Sequence, residues 1–372
     1  MSILNPMPGI LDITPYQGGD SDINGVNKVI KLSSNEGALG PSSHAIEAIK
    51  LCSVNANRYP DGDATMLKAA IAQRYNIEKS MIVCGAGSDE LLTLLCRGFA
   101  GTGDEVLCTE HGFAMYPIIA KSVGAQPIKA REVNNTANLE NLLHMVTSRT
   151  KIVFLANPNN PTGTYLPASE IRVFREKLRA DILLIVDAAY AEFVSESDYE
   201  PGLTLVKENN NTVMTRTFSK IHALGGLRLG WAYCPQPVAD VINRIRSPFN
   251  VSAPALQAGL ASFNDESFIV QSARHNKLWL AWTQNKLQEL GLKITPSVCN
   301  FVLVCFDTFS NHDASTAYTF LKSKGIIVRL VKNYGFPNCL RISIGLEEEM
   351  EAVIHALELY LRSNRPNLEK TL

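Results

Sequence analysis

The sequence predicts an α/β fold with a mostly parallel central sheet flanked by helices, followed by a smaller α+β domain. Two observations favour it. Between about residues 80 and 235, short apolar runs alternate with amphipathic segments such as Leu91–Phe99, whose apolar residues share one helical face. From about residue 265 the pattern changes to one long helical stretch, a few short apolar runs and a terminal helix.

Each apolar run predicts a strand. The runs of the larger domain are Met81–Cys84, Glu105–Cys108, Lys151–Ala156, Ile182–Asp187, Thr212–Thr217 and Gly230–Cys234. Those of the smaller domain are Phe301–Phe306, Ile326–Val331 and Leu340–Ile344, followed by a terminal helix near Glu347–Leu361. The passage from the large to the small domain falls within the long helical pattern Asp265–Leu290. We predict an N-terminal arm over residues 1–30, a connecting segment over 31–44, a large domain over 45–275 and a small domain over 276–372.

The overall charge and composition exclude several classes of protein. The 372 residues are 46% hydrophobic and 19% charged, and the formal net charge is −1, so no basic surface is expected for nucleic acid or an anionic membrane. No apolar segment approaches the ~20 residues that span a bilayer, and the N-terminus lacks the pattern of a signal peptide. The eight cysteines form no C-x-x-C pair, so we expect reduced, buried thiols in a cytoplasmic protein.

One lysine lies among residues that suit a phosphorylated aldehyde. Lys220 follows the hydroxyl residues Thr217 and Ser219, and Arg228 comes shortly after. Hydroxyls, backbone N–H groups and a guanidinium bind phosphate, and a lysine amine of lowered pKa forms a Schiff base with an aldehyde. The group predicts pyridoxal 5′-phosphate (PLP) as the cofactor and Lys220 as a catalytic residue.

Polar residues at the ends of neighbouring runs should meet, because ligands of such sheets bind at the carboxyl ends of the strands. Asp187 ends an apolar run, and its carboxylate suits a protonated pyridine nitrogen; the alternative is a strand-end acid that faces solvent. Tyr190 and Asn160 suit hydrogen bonds to the phenolic oxygen of the cofactor. Tyr190 is otherwise a core aromatic residue, and Asn160 lies in a turn, Asn159–Gly163, on either interpretation.

The turn Gly85–Glu90 precedes a helix that we expect to begin near Leu91. Gly87 and Ser88 would offer N–H donors and the positive end of the helix to a phosphate; alternatively, Ser88 simply caps the helix. Phe113 would stack on a pyridine ring or pack in the core.

Two arginines belong to apolar runs of the smaller domain. Arg329 and Arg341 would clamp an anionic group of a substrate if both faced the cleft, and would otherwise be surface residues. His111 is not expected to bind a metal, since no other histidine or cysteine has the spacing of a ligand set.

Motifs along nearly the whole chain resemble those of fold-type-I PLP-dependent aminotransferases of class II. They are Pro15-Tyr16, Leu32–Glu36, Leu39–Pro41, Arg58–Gly62, Gly87–Glu90, Asn157–Gly163, Ser219-Lys220, Gly226–Gly230, Pro248–Val251, Cys299–Val302, Gly325–Arg329 and Leu340–Gly345. Three segments depart from the family. Gly37-Ala38 stands where Asn-Pro is common, which predicts a looser substrate loop; Ala188 stands where Glu is usual, and Ile221–Leu224 replaces an aromatic-containing segment.

The resemblance implies a role for each candidate residue. Lys220 would carry the cofactor and move protons between the substrate Cα and the cofactor C4′, with Asp187 and Tyr190 as further catalytic residues. Cofactor-binding residues would be Gly87, Ser88, Phe113, Asn160, Asp187, Tyr190, Thr217, Ser219, Lys220 and Arg228, with Tyr59 reaching the phosphate site of a neighbouring subunit. Substrate-binding residues would be Tyr16, Asn35, Arg329 and Arg341. The role of Tyr59 implies a homodimer with shared active sites.

The implied activity is transamination between L-histidinol phosphate and 2-oxoglutarate, giving imidazole acetol phosphate and glutamate, in histidine biosynthesis. Because the loop at Gly37 is altered, an aromatic amino-acid aminotransferase is the nearest alternative, and a PLP decarboxylase of a phosphorylated amino acid is a second. A PLP-sensing regulator would need a DNA-binding domain, for which residues 1–30 are too short. A dinucleotide-binding protein would need a G-x-G-x-x-G turn between strand and helix, which we do not find.

Overall fold

The computed structural model describes residues 4, 6–26, 28–306 and 312–363. The strands are β1 (Ile30–Lys31), β2 (Ile82–Gly85), β3 (Glu105–Thr109), β4 (Gln126–Ala130), β5 (Thr150–Ala156), β6 (Leu183–Asp187), β7 (Thr212–Thr217), β8 (Gly230–Tyr233), β9 (Lys293–Thr295), β10 (Phe301–Cys305), β11 (Ile326–Ile327), β12 (Arg329–Leu330) and β13 (Cys339–Ser343). The helices are α1 (Ser43–Ser53), α2 (Thr65–Tyr75), α3 (Ser88–Phe99), α4 (Met115–Ser122), α5 (Leu139–His144), α6 (Ala168–Lys177), α7 (Leu203–Glu208), α8 (Gln236–Ile245), α9 (Ala253–Asn264), α10 (Glu266–Glu289), α11 (Ala314–Ser323) and α12 (Glu347–Ser363).

A seven-stranded sheet forms the centre of the larger part, in the order β2-β8-β7-β6-β5-β3-β4. β8 is antiparallel to both of its neighbours, and the other adjacent pairs are parallel. Apolar clusters pack against both faces, so every residue of β6 and β7 is buried. The mostly parallel sheet with flanking helices confirms the predicted fold class.

A four-stranded antiparallel sheet lies in the smaller part, in the order β12-β13-β10-β9. Its core includes Trp279 and Leu280 of α10 and apolar residues of α11 and α12. β1 joins this part by parallel pairing with β11, in which Ile30 lies opposite Ile326. Leu32 packs into the same core. The domain limits predicted above stay a prediction.

Three local predictions were wrong. The run Ile326–Val331 forms two strands rather than one, because β11 pairs with the N-terminal β1 whereas β12 pairs with β13. The strand β4 was missed because it lies at the sheet edge and its partly exposed residues form no apolar run. The helix α3 begins at Ser88 rather than near Leu91, and Gly87 occupies the cap position, so Ser88 is not the N-cap.

The cysteines also differ from expectation. Cys305 and Cys339 form a disulfide, so the prediction of eight reduced thiols was wrong for this pair. The two residues lie directly opposite each other in β10 and β13, an adjacency that sequence spacing does not reveal. The other six cysteines are free thiols. Across the described ranges, no helix combines the length and the apolar character needed to cross a membrane.

Candidate active site

A cavity of about 320 Å³ lies at the carboxyl ends of β5, β6 and β7 and is closed on another side by β12 and β13. All predicted site residues except Gly87 and Tyr59 line it: Tyr16, Asn35, Ser88, Phe113, Asn160, Asp187, Tyr190, Thr217, Ser219, Lys220, Arg228, Arg329 and Arg341. A groove of about 520 Å³ adjoins the cavity and shares Tyr16 and Arg329 with it, but lacks Lys220 and Asp187. The chemistry-bearing residues therefore belong to the cavity.

Lys220 lies just beyond β7, and its amine points at the backbone of the N-terminal segment. The Nζ donates to the carbonyl oxygen of Ser34 at 3.1 Å. Burial, and next the nearby charge of Arg341, lower the pKa of Lys220 to about 8, so about a tenth of the amine is uncharged at pH 7. The charge of Arg228 also lowers this pKa, but by less than that of Arg341.

Asp187 ends β6 as predicted, but it faces the cavity from a buried position rather than solvent. Tyr116 donates its hydroxyl hydrogen to Oδ2 at 2.9 Å, and Thr215 donates to Oδ1 at 3.3 Å. Burial raises the pKa of Asp187 to about 6, and the bond from Tyr116 opposes that rise. The carboxylate is thus poised to ionise and pair with a cation.

Tyr116 contacts Asp187 but was not singled out from the sequence. Its ring stacks on Phe154 at a centroid distance of 4.6 Å and meets Phe113 edge-on at 5.7 Å. Tyr116 lies in the first turn of α4, and Phe113 comes just before that helix. Nothing in the local sequence indicates that this helix start lies beside Asp187.

Tyr190 and Asn160 occupy the wall between the two sheets. The Tyr190 hydroxyl accepts a hydrogen bond from Nδ2 of Asn35 at 2.9 Å, which leaves its own hydrogen for another acceptor. Asn35 has a φ of 53° and is held by Ser343, whose hydroxyl accepts from the Asn35 backbone N–H at 2.8 Å. Asn160 accepts from Arg341 at 2.6 Å through its side-chain oxygen.

The predicted phosphate residues surround the start of α3. Gly87 has a φ of 83°, a backbone conformation that favours glycine, and its open side faces Nη2 of Arg228, which would lie 2.3 Å from a Cβ. Arg228 donates to the Ser219 hydroxyl at 3.2 Å and pairs with Asp89 at 3.1 Å, while the Ser219 backbone N–H donates to Thr217. Ser88 adds the positive end of a 12-residue helix.

Arg329 and Arg341 lie directly opposite each other on β12 and β13, and both are buried, so the surface alternative was wrong. Arg341 donates to the carbonyl oxygen of Ser33 at 2.9 Å, and its buried Nε has no hydrogen-bond partner among the residues that the structure describes. Arg329 donates to the carbonyl oxygen of Gln17, and its guanidinium lies 6.0 Å from the ring centre of Tyr16. Like charges placed opposite each other are unfavourable unless an anion joins them.

The two family departures nearest to Lys220 contact each other. A Cβ on Gly37 would lie 2.7 Å from Cβ of Ala223 and 2.9 Å from the carbonyl oxygen of Lys220. Ala223 has a φ of 53°, so the lysine turn approaches residue 37 unusually closely. The loop at Gly37 therefore packs closely against the lysine turn, and the looser substrate loop stays a prediction.

Tyr59 lies outside the cavity. It is 83% exposed and stacks on Phe249 at a centroid distance of 4.7 Å. Its predicted role at a neighbouring subunit's phosphate site stays a prediction.

Comparisons with known proteins agree with this geometry. The family described as aminotransferase class I and II matches residues 27–357. Histidinol-phosphate aminotransferase of Paramagnetospirillum magneticum is 59% identical over 356 residues, covering 96% of this chain and 98% of that protein. The enzyme of the same name from Rhodospirillum rubrum is 52% identical over 359 residues, covering 96% and 97%.

Solved structures give the same result. The histidinol-phosphate aminotransferase of Sinorhizobium meliloti, in complex with pyridoxal 5′-phosphate, matches with a TM-score of 0.88 at 26% identity, covering 97% of this chain and 99% of that one. A Thermus thermophilus aspartate aminotransferase mutant shares the fold with a TM-score of 0.82 at 19% identity, covering 96% and 99%. This chain belongs to the aminotransferase class I and II family and is an enzyme of that family.

Proposed function

We propose that the enzyme uses PLP to exchange an amino group between L-histidinol phosphate and 2-oxoglutarate, giving imidazole acetol phosphate and glutamate, in histidine biosynthesis. The observation that carries the proposal is the buried pair Arg329 and Arg341 beside a full set of cofactor residues. The two relatives above 50% identity over nearly the whole chain bear the name of this activity, which supports the choice of substrate.

The residues present fit PLP. A buried amine with a pKa of about 8 suits the aldehyde, and the buried Asp187 suits the pyridine nitrogen. The turn at Gly87, which a Cβ would fill, offers N–H groups and Arg228 to a phosphate. Bound PLP supplies an electron sink for negative charge at the substrate Cα.

We assign each side chain one task in that reaction. Lys220 takes the proton from the substrate Cα and returns it at the cofactor C4′, which its lowered pKa permits near neutral pH. Asp187 keeps the pyridine nitrogen protonated by pairing with it. Tyr190 and Asn160 bind the phenolic oxygen, and Phe113 packs on the ring.

The anionic ends of both substrates would use the same clamp. The buried Nε of Arg341 makes no hydrogen bond within the described part of the chain, so its guanidinium retains a donor for a phosphate or a carboxylate. Arg329, Tyr16 and Asn35 complete the clamp for the phosphate of histidinol phosphate. One site then serves the donor and the acceptor in turn, as a ping-pong exchange requires.

We also propose that the enzyme is a cytoplasmic homodimer with shared active sites. Support comes from Tyr59, whose ring is held by Phe249 yet is 83% exposed in the single chain. An aromatic residue that is ordered but uncovered suits a position against a second subunit.

The test is an absorbance spectrum of the PLP-loaded enzyme before and after L-histidinol phosphate is added, with no oxo acid present. Loss of the band of the lysine-bound cofactor, with growth of the band of its amine form, is the expected result. A band that does not change would remove histidinol phosphate as the donor. Phenylalanine and tyrosine, added in parallel, test the aromatic alternative.

A further inference from the structure

The turn that precedes α3 has contacts that the proposed function does not use. One oxygen of Glu90, in the first turn of α3, accepts from the backbone N–H of Ala86 at 2.6 Å. The same oxygen accepts from Nδ2 of Asn250 at 2.7 Å. Asn250 also lies 3.3 Å from the carbonyl oxygen of Cys84, at which β2 approaches its end. Two side chains thus hold the turn from the side away from Arg228.

On its other side, the turn lies close to β8 and Arg228. A Cβ on Gly230 would lie 2.4 Å from the backbone nitrogen of Ser88, and a Cβ on Gly87 would lie 2.3 Å from Arg228. The N–H of Gly87 donates to the carbonyl oxygen of Gly85 at 2.8 Å within the turn. The position of the following N–H group, that of Ser88 at the start of α3, therefore depends on how the turn is held, to which the bonds of Glu90 and Asn250 contribute.

Asn250 also connects the turn to the segment that carries Tyr59. Its side-chain oxygen accepts from Arg246 at 3.2 Å, and Arg246 lies 3.4 Å from a carboxylate oxygen of Asp63. The preceding residue, Phe249, has a φ of 54° and stacks on Tyr59. Asn250 therefore contacts the turn directly and is the next residue after the one on which Tyr59 stacks.

We propose that Glu90 and Asn250 are positioning residues that hold the turn Gly85–Ser88, and with it the backbone N–H of Ser88 at the start of α3, in place for the cofactor phosphate. The proposal rests on the proposed function, in which that cofactor is PLP. Glu90 acts through the turn and not as a ligand, because a carboxylate and a phosphate repel each other.

The test compares PLP with pyridoxal, which lacks the phosphate, as ligands of the full chain stripped of its cofactor. Equilibrium dialysis gives both dissociation constants for the wild type and for Glu90→Ala. We expect Glu90→Ala to weaken PLP binding roughly tenfold, the effect of one or two lost hydrogen bonds, and to change pyridoxal binding less than about twofold. Only a ligand whose phosphate binds at the turn should lose affinity when the turn is displaced.

Two further variants are matched to the hydrogen bonds. The quantity compared is the dissociation constant of pyridoxal divided by that of PLP. Glu90→Gln keeps an oxygen that can accept from both Ala86 and Asn250 without the charge, so this ratio should stay at the wild-type value. Asn250→Asp keeps the shape but replaces the donor by a second carboxylate facing Glu90, so it should lower the ratio as Glu90→Ala does. If Glu90→Ala does not fold, these two variants carry the comparison.

The outcomes separate positioning from a general structural role. If Glu90 and Asn250 only stabilised the fold, their substitution would weaken the binding of PLP and pyridoxal equally. Either that result or an unchanged ratio in Glu90→Ala and Asn250→Asp would overturn the proposal. So would a Glu90→Gln protein that behaves like Glu90→Ala, since charge would then be responsible. A wild type that binds PLP no better than pyridoxal would instead refute the proposed cofactor.

Discussion

The two sides of the cavity balance their charges in different ways. On the cofactor side, Asp187 accepts from two hydroxyl groups and Arg228 pairs with Asp89. On the substrate side, Arg329 and Arg341 lie opposite each other, and the hydrogen bonds described for them run to backbone carbonyl groups and to Asn160. Within the described residues, neither of these arginines forms an ion pair with an acidic side chain.

This difference indicates which side of the cavity is already neutralised by the protein and which side requires a bound ligand. The cofactor side is held together by the protein's own contacts, so its geometry exists before the substrate arrives. The substrate side keeps an excess of buried positive charge, which only an anion can neutralise. Substitutions on the first side should therefore damage turnover of every substrate, whereas those on the second should depend on the substrate's charge.

Lys220→Ala should have the largest effect, since it removes both the covalent anchor and the proton carrier. We expect turnover of every substrate to fall by at least roughly 1,000-fold. Lys129→Ala is the control, because Lys129 is an exposed lysine that also donates to a backbone carbonyl, that of Glu110. A Lys220→Ala enzyme with a near-wild-type rate would contradict the assignment.

Asp187→Asn should lower kcat by roughly 100-fold for every substrate, because the neutral amide cannot hold the pyridine nitrogen in its protonated form. Steady-state kinetics with two amino donors measure it. The exposed Asp181, paired with Arg179, offers a control substitution of the same kind. If kcat fell for one donor alone, Asp187 would act on the substrate rather than on the cofactor, which would contradict the assignment of Asp187 to the cofactor side.

The same substitution should stabilise the chain that lacks cofactor. Burial raises the pKa of Asp187 from 3.8 to about 6, so the folded state holds its proton more tightly than the unfolded state does. The ionised carboxylate therefore costs stability above about pH 6, and this cost disappears below about pH 4. Thermal unfolding should show a higher Tm for Asp187→Asn at pH 7 and little difference at pH 4.

Arg341→Lys should separate substrates by charge. The lysine keeps one positive charge but loses the planar fork, so kcat/KM for histidinol phosphate and 2-oxoglutarate should fall roughly 10- to 100-fold. A donor without any anionic group, such as L-histidinol, should lose much less. The affinity for PLP, measured by dialysis, should stay near that of the wild type. A large loss of PLP affinity would show that Arg341 also supports the cofactor side, and the distinction between the two sides would be wrong.

Tyr116→Phe should have the smallest effect and a specific pH dependence. The bond from Tyr116 lowers the pKa of Asp187, so its loss should raise that pKa above about 6. Binding of PLP, which needs the ionised carboxylate, should then weaken at a higher pH than in the wild type, with a change of a few-fold near pH 7. Equilibrium dialysis between pH 5 and 8 measures the affinity for PLP at each pH. An unchanged pH dependence would show that Tyr116 does not influence the ionisation of Asp187.

Much of the site follows from sequence because it lies at strand ends. Asp187, Asn160 and Lys220 come after apolar runs, and parallel strands bring their carboxyl ends to one edge. What the sequence did not reveal depends on contacts between distant segments. Tyr116 meets Asp187 only in the fold, and the carbonyl oxygen of Ser34 reaches Lys220 only after β1 joins β11.

The match between Gly37 and Ala223 was hidden for the same reason. Each residue alone reads as a departure from the family, and only the 2.7 Å approach of their Cβ positions shows that the two belong together. The split of Ile326–Val331 into β11 and β12 likewise depends on a partner strand that local composition cannot identify.

The pairing of β1 with β11 also affects the order in which the enzyme can assemble during synthesis. Ile30 and Lys31 leave the ribosome long before their partners Ile326 and Ile327 are made. The strands of the seven-stranded sheet end at Tyr233 and the apolar residues that cover it extend to Phe263, so this part can form earlier. The segment that brings Ser34 and Asn35 to the cavity has to wait, and the cavity is incomplete until β11, β12 and β13 have been made.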